Sequence, residues 1–255
     1  MNSMKTLAHM ETHKLAGLLA AQHRVIEFIE STAIDCLHFH PQLLPLSKGV
    51  RNAYIVIGSE RGFCGDFNRR IETSLSEILQ QEKAEAPKLI ALGHKLHPLV
   101  AEHVPDTHLL NGASVQEEIP PLLDLLSDLL EGLIQSQRVD NLLCLFHERD
   151  GSIVTRSLLP PFRNLERSTV SRAIAPLLNQ PPRQFFAGLV QHYLFAVLHW
   201  MLYASLMAEN HARVSHLDGA VRHLDNQTLQ LNHRYNVLRQ EEIIEEIEVI
   251  LLNAC

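Results

Sequence analysis

The chain has 255 residues, 46% of them hydrophobic, and a net charge of −7 from 22 basic and 29 acidic side chains. That hydrophobic share supports a packed core and argues against wholesale disorder. The acidic balance argues against a nucleic-acid partner, which would call for a basic face. No apolar run reaches the ~18 residues that span a bilayer; the longest, Phe185–Met201, is interrupted by Gln191, His192 and His199. Met1–Lys14 is polar, without the apolar core of a signal peptide. Cys36, Cys64, Cys144 and Cys255 are scattered and form no CxxC pair, so a reduced, cytosolic protein without a disulfide framework is expected. Among the 16 histidines the densest group is His38 and His40 beside Cys36. It lacks the second ligand pair of a zinc site and reads as a solvated helix end.

The first element is a helix from about Met4 to Thr32. Leu15, Leu18, Ala21, Val25 and Ile29 recur at steps of three and four and form one apolar stripe. Pro41 and Pro45 close it. The middle reads as α/β. Tyr54–Ile57, Leu89–Leu92 and Leu142–Leu145 are short apolar runs suited to strands buried on both faces. Helical stretches over Asp66–Gln81, His94–His103 and Val115–Gln137 alternate with them, which predicts a small Rossmann-like sheet. Ile153–Leu158 adds an edge strand. Pro160, Pro161, Pro181 and Pro182 then punctuate the chain.

From Arg183 to Leu252 there is no proline. A continuous helix over that range is about 105 Å long at 1.5 Å per residue, far beyond the ~30–40 Å of a compact domain of this size. It must project. Val214, Leu217, Val221, Leu224, Thr228, Leu231, Tyr235 and Leu238 follow a 3.5-residue period, the seam of a coiled coil. The first helix carries the matching stripe. The predicted architecture is therefore a long antiparallel coiled coil of the N- and C-terminal helices plus a small Rossmann-like α/β domain. Its divisions are 1–46 for the first helix, 47–165 for the α/β domain and 166–255 for the long helix.

Two segments carry more specific information. Ser59–Asn68 reads Ser-Glu-Arg-Gly-Phe-Cys-Gly-Asp-Phe-Asn, directly after the first strand. A glycine-rich strand-to-helix turn can cradle phosphate on its N–H groups. This one lacks the Lys-Ser/Thr of a Walker loop and the GxGxxG spacing, which favours a tight turn with Asp66 as N-cap. The second segment is Ala208-Glu-Asn-His-Ala-Arg213, followed by Tyr235-Asn-Val-Leu-Arg-Gln240 and Ile243-Ile-Glu-Glu-Ile247.

In order, spacing and position these blocks resemble the gamma subunits of F-type ATP synthases. Arg61, Gly62, Cys64, Gly65 and Asn68 match the family's turn, with conservative changes at Glu60 and Phe63 and a departure at Asp66. The acidic cluster Glu241, Glu242, Glu245, Glu246 and Glu248 resembles the divergent, sodium-associated N-type branch. The family's opening segment, about 20 residues in other gamma subunits, has no counterpart here, and part of the long helix is expected to lack a coil partner.

The resemblance implies a non-catalytic central-stalk subunit that couples ion translocation to ATP synthesis or hydrolysis. Its implied partners are the alpha and beta subunits, the epsilon subunit and the membrane c-ring, on the cytoplasmic side of the inner membrane. It implies no cofactor, and it implies that Arg239 and Gln240 contact a beta-subunit loop, where the planar guanidinium suits a carboxylate. Two other classes stay open on the residues alone. One is a scaffold that dimerises through the heptad helix; the other is a small α/β enzyme using the Gly62–Gly65 turn.

Overall fold

A computed structural model of the chain describes residues 2–44, 51–81, 87–101, 107–137, 139–162 and 177–253. Five helices and five strands follow in the order α1 (Asn2–Phe39), β1 (Asn52–Ile57), α2 (Phe67–Gln81), β2 (Lys88–Leu92), α3 (His97–Ala101), β3 (Thr107–Leu110), α4 (Ile119–Gln137), β4 (Asn141–His147), β5 (Ile153–Leu159) and α5 (Pro182–Asn253). Pro45, His103 and the expected divisions at 46/47 and 165/166 lie outside the described residues.

The strands form one sheet in the order β3-β2-β1-β4-β5. The first four are parallel, and β5 closes the edge antiparallel to β4. β1 and β2 are nearly continuous apolar runs because both faces of the sheet are covered. Ile55, Ile90, Leu92, Cys144 and Phe146 point into one core with Leu123 and Leu126 of α4 and much of α5. Their neighbours Tyr54, Val56, Leu89, Ala91 and Leu145 point the other way, onto Ile71 and Leu75 of α2, Leu96 just before α3 and Val100 within it. β3 has no counterpart among the predicted strands. Its four residues, Thr-His-Leu-Leu, are too short and too polar to stand out as a run, and it sits at the sheet edge with none of them fully buried.

α1 and α5 pack antiparallel. Lys5 pairs with Asp218, Gln22 meets His199, and Glu30 meets Tyr193, so numbers rise on one helix as they fall on the other. The buried line of α1 is Ala8, Leu15, Ile26, Ile29, Ala33 and Cys36. This corrects part of the predicted stripe. Leu15 and Ile29 are buried and Leu18 is half-buried, but Ala21 and Val25 are exposed. Gln22 takes the inward position instead, its amide nitrogen 2.8 Å from His199 Nδ1. A polar residue in the seam hides the true line from a search for apolar residues alone.

The larger correction concerns α5. Leu217 is buried and Val214 and Val221 are half-buried, but Leu224, Leu231, Tyr235 and Leu238 are exposed, as is Thr228. The predicted seam is packed within this chain only as far as about Val221. Lys5, near the start of α1, pairs with Asp218, so among the described residues the part of α5 beyond Val221 has no α1 residue opposite it. At 1.5 Å per residue that part extends about 50 Å.

α5 also contains an 18-residue stretch long and apolar enough to cross a bilayer by composition, with mean hydropathy 1.4, although the sequence reading found none. A helix apolar on all sides is either a core helix or a span. Here 39% of that stretch is buried by the rest of the protein, so core packing accounts for part of the composition.

Two substitutions separate the packed and unpacked parts of the seam. In the isolated chain, Leu217→Asp buries a charge against α1 and is expected to lower the melting temperature by about 5–10 °C. Leu224→Asp is expected to leave the melting curve unchanged. Equal effects of the two would contradict the boundary at Val221.

Candidate functional site

The two segments singled out by their sequence lie far apart in the chain and meet in space. The turn after β1 runs through Gly58–Asp66 and lies across Ala208–His216 of α5. Its course is fixed by close approaches that only glycine permits. A Cβ on Gly58 would stand 2.6 Å from Leu96 Cβ and 2.7 Å from Asn68 Oδ1. Gly93, with φ of 106°, would place a Cβ 2.8 Å from the Gly58 carbonyl. Asn68, in the first turn of α2, staples the start of the loop: its Oδ1 accepts from Ser59 N at 2.8 Å and its amide donates to Ser59 Oγ at 2.7 Å. Asp66 stands at the N-cap, where its carbonyl accepts from Arg70 N–H.

The turn occupies the carboxyl end of β1, where the strand order reverses between β2 and β4. In open α/β sheets this crevice is the usual ligand position. Here α5 fills it. The Glu209 carboxylate receives the backbone N–H groups of Glu60 and Arg61, each at 3.4 Å. Arg213, one helical turn later, pairs with Glu209, donates to Asn210 Oδ1 at 2.7 Å and to the Gly62 carbonyl at 3.3 Å, and reaches Cys64 Sγ at 3.5 Å. Glu209 and Arg213 are 2% and 5% exposed. Burial pushes the Glu209 carboxyl upward, and Arg213 with the two N–H groups opposes that shift. The anion position of the turn is thus taken by a carboxylate of the same chain.

Glu60 extends the network sideways. Its carboxylate accepts from His94 N at 2.9 Å and Gly112 N at 2.6 Å, tying the loops after β2 and β3 to the one after β1. Cys64 is buried against Phe67 and Ala208, and burial, followed by the Glu209 charge, raises its thiol to about 11. A thiol so raised stays protonated and unreactive at neutral pH. It donates weakly to the Arg61 and Gly62 carbonyls. Arg61 is exposed and borders a cavity of about 50 Å³ with Glu11, Asn210 and Arg213. Phe63, at φ of 65°, is exposed at the loop tip.

Among the described residues no group of three or more His, Cys, Asp or Glu is placed to hold a metal. Cys36 is buried while His38 is exposed, so these neighbours face different surroundings.

The pattern of a gamma-type chain is matched across its length. The sequence pattern of the ATP synthase family covers residues 1–254. The chain belongs to that family, as a gamma-type subunit. It is 23% identical to the ATP synthase gamma chain of Caldanaerobacter subterraneus over 83% of this chain and 75% of that one. With the gamma chain of Bdellovibrio bacteriovorus the identity is 24%, over 99% and 93%. The fold is that of the central stalk in the Tetrahymena thermophila mitochondrial ATP synthase, with a TM-score of 0.59 at 15% identity, over 86% of this chain and 98% of that one. The gamma-type chain is a non-catalytic rotor subunit of the synthase, which is a membrane-associated complex.

The structure places the named residues of the gamma-type chain in two groups. Arg61, Gly62, Cys64, Gly65 and Asn68 gather in the turn against α5. Arg239 and Gln240 are exposed, roughly 40 Å farther along α5 than Arg213 at the helical rise. The Tyr235 and Leu238 side chains near them, and Glu241 through Glu248, are exposed too. Sequence reasoning quoted Glu209 and Arg213 as part of a motif without giving them a role, and it gave Glu60 none. A Glu and an Arg four residues apart, directly after a largely apolar helical stretch, were the available signal.

His147, at the end of β4, lies under the same turn. Its ring is fully buried, stacks on Phe67 at a centroid distance of 3.8 Å, and has no hydrogen-bond partner on either nitrogen. Burial, helped by Arg70 and opposed by Asp66, lowers its pKa from 6.5 to about 4. Between those values the unfolded chain binds a proton that the folded chain refuses, so stability rises with pH there. The isolated chain is expected to lose about 3 kcal/mol of unfolding free energy between pH 6.5 and 4 through this group. His147→Phe should flatten that part of a pH series of urea titrations; an unaltered slope would assign the effect elsewhere.

Proposed function

We propose that this chain is the shaft that couples ion passage through the membrane sector to ATP synthesis or hydrolysis in a hexamer of alpha and beta subunits. The observation that carries the reading is the half of α5 beyond Val221. It is a helix about 50 Å long whose apolar side chains, among them Leu231, Tyr235, Leu238 and Ile244, are exposed on the isolated chain. Most helical stability comes from packing rather than propensity, and an exposed apolar face of that length marks an interaction site. An enclosing ring of subunits supplies packing on every side at once.

In this reading the α/β body sits at the foot, beside the epsilon subunit and the membrane c-ring, on the cytoplasmic face of the membrane. Arg239 and Gln240 lie on the enclosed part and meet a loop of one beta subunit at a time. Each shaft orientation then stabilises a different conformation in each of the three sites, a population shift driven mechanically. No acid, base or metal is required of this chain.

A tagged copy recovered from native cells is expected to bring alpha-, beta- and epsilon-type subunits and ATPase activity with it. A lone chain or homodimer, under conditions that preserve such complexes, would sink the proposal in favour of the scaffold. The double variant Arg239→Ala, Gln240→Ala is expected to fold normally and to lower ATP synthesis by assembled complexes. Full synthesis by that variant would remove the assigned contact while leaving the shaft reading in place.

A further inference from the structure

We propose that the Glu209–Arg213 pair and the turn it holds form the torsional joint between body and shaft, with Glu209 as its positioning residue. The proposal rests on the shaft reading above and concerns a place on the molecule remote from Arg239 and Gln240.

The body touches α5 in two physically different ways. One is mainly apolar: Phe146, Met201, Leu202 and their neighbours share a core, edged by Arg156 of β5, which donates to Tyr193 Oη at 3.4 Å and lies over the Trp200 ring. Apolar contact is non-directional and follows buried area. It opposes separation strongly, but a turn of the helix about its own axis can exchange one apolar neighbour for another. The second contact is directional. The Glu209 carboxylate receives the N–H groups of Glu60 and Arg61, and Arg213 donates to the Gly62 carbonyl. Hydrogen bonds weaken steeply with angle. Rotating α5 within the body must break these bonds, which act at the helix surface, about 5 Å from its axis.

The anchoring on the body side is also built for load. The held turn is fastened to α2 by the reciprocal Ser59–Asn68 bonds. The Glu60 carboxylate ties it to the loops after β2 and β3. A twist of α5 is therefore delivered to three parallel strand ends rather than to one loop. Ala208 and Ala212 on the same face of α5 let the turn approach closely, with Cys64 and Phe67 packed against Ala208. Nothing in a merely nucleotide-free turn requires a buried ion pair at this point, since a buried pair is weak evidence of stability by itself.

The test replaces both partners, Glu209→Leu with Arg213→Met, because removing one alone strands a buried charge whereas an apolar pair of similar size preserves folding. In the full chain, amide exchange at Glu60 and Arg61 is expected to quicken by roughly tenfold with helix content unchanged. In the assembled complex, ATP hydrolysis is expected to persist while the number of ions moved per ATP falls severalfold. Asp218→Asn, which removes the more exposed pair with Lys5, is expected to leave that ratio unaltered. Hydrolysis and ion movement falling in proportion, an unaltered ratio, or failure of the double variant to assemble would each overturn the joint. Failure of the wild-type chain to join such a complex would instead overturn the shaft reading, and the exchange measurement would still decide whether Glu209 holds the turn.

Discussion

Residues Met201–Asn210 of α5 are buried on every side, and a helix buried on every side must meet a different surface on each face. One face meets α1, through the seam that includes Gln22 and His199. A second meets the core under β4, where Trp200 stands edge-on to Phe146 and carries the Arg156 guanidinium 5.5 Å above its ring. The third meets the turn after β1. Three surfaces of different chemistry converge on about three turns of helix, and they set where the body sits along α5. Beyond it the body reaches α5 through Arg213, which donates to the Gly62 carbonyl, and past Val221 the helix side chains are exposed.

The same convergence explains why a Rossmann-like sheet here need not bind a nucleotide. The crevice at the strand-order reversal is present, and the turn there does offer backbone N–H groups to an anion. The anion is Glu209. With its own carboxylate in place and Arg213 balancing it, the position is electrostatically satisfied and sterically closed. The fold's usual binding site has become an internal contact, in keeping with the rule that function resides in sites grafted on folds.

How much of this was legible in the sequence depends on which physical signal each part leaves. The sheet was readable because β1, β2 and β4 are buried on both faces and appear as unbroken apolar runs. The long helix was readable from the want of proline, and its lower pairing from the matching stripes. β3 left little signal because an edge strand with partly exposed residues resembles a loop. The register of α1 was displaced by one position at Ala21 and Val25 because Gln22 and Ile26 carry the buried line, and hydropathy gives glutamine no credit for a hydrogen bond to His199. The upper seam was read as an apolar period continuing the pairing with α1, with part of the helix expected to lack a coil partner; periodicity reports that a face is to be covered, and is silent on what covers it. The Glu209 contact was invisible for a different reason, since it joins residues about 150 positions apart and no local pattern records that distance.

The boundary near Val221 gives these pieces a common logic. Below it, α5 is held by α1, by the sheet and by the turn, so the helix and the body move as one. Above it, a single helix retains apolar side chains spaced for contact and a run of acidic residues toward its end. A helix that were only a dimerisation arm would have no need of a rigid body fixed to its base against rotation. A body that were only an enzyme would not close its own crevice with a carboxylate. A shaft needs both: a free distal surface that can be enclosed, and a proximal end whose orientation about the helix axis is fixed by directional bonds rather than by apolar packing alone.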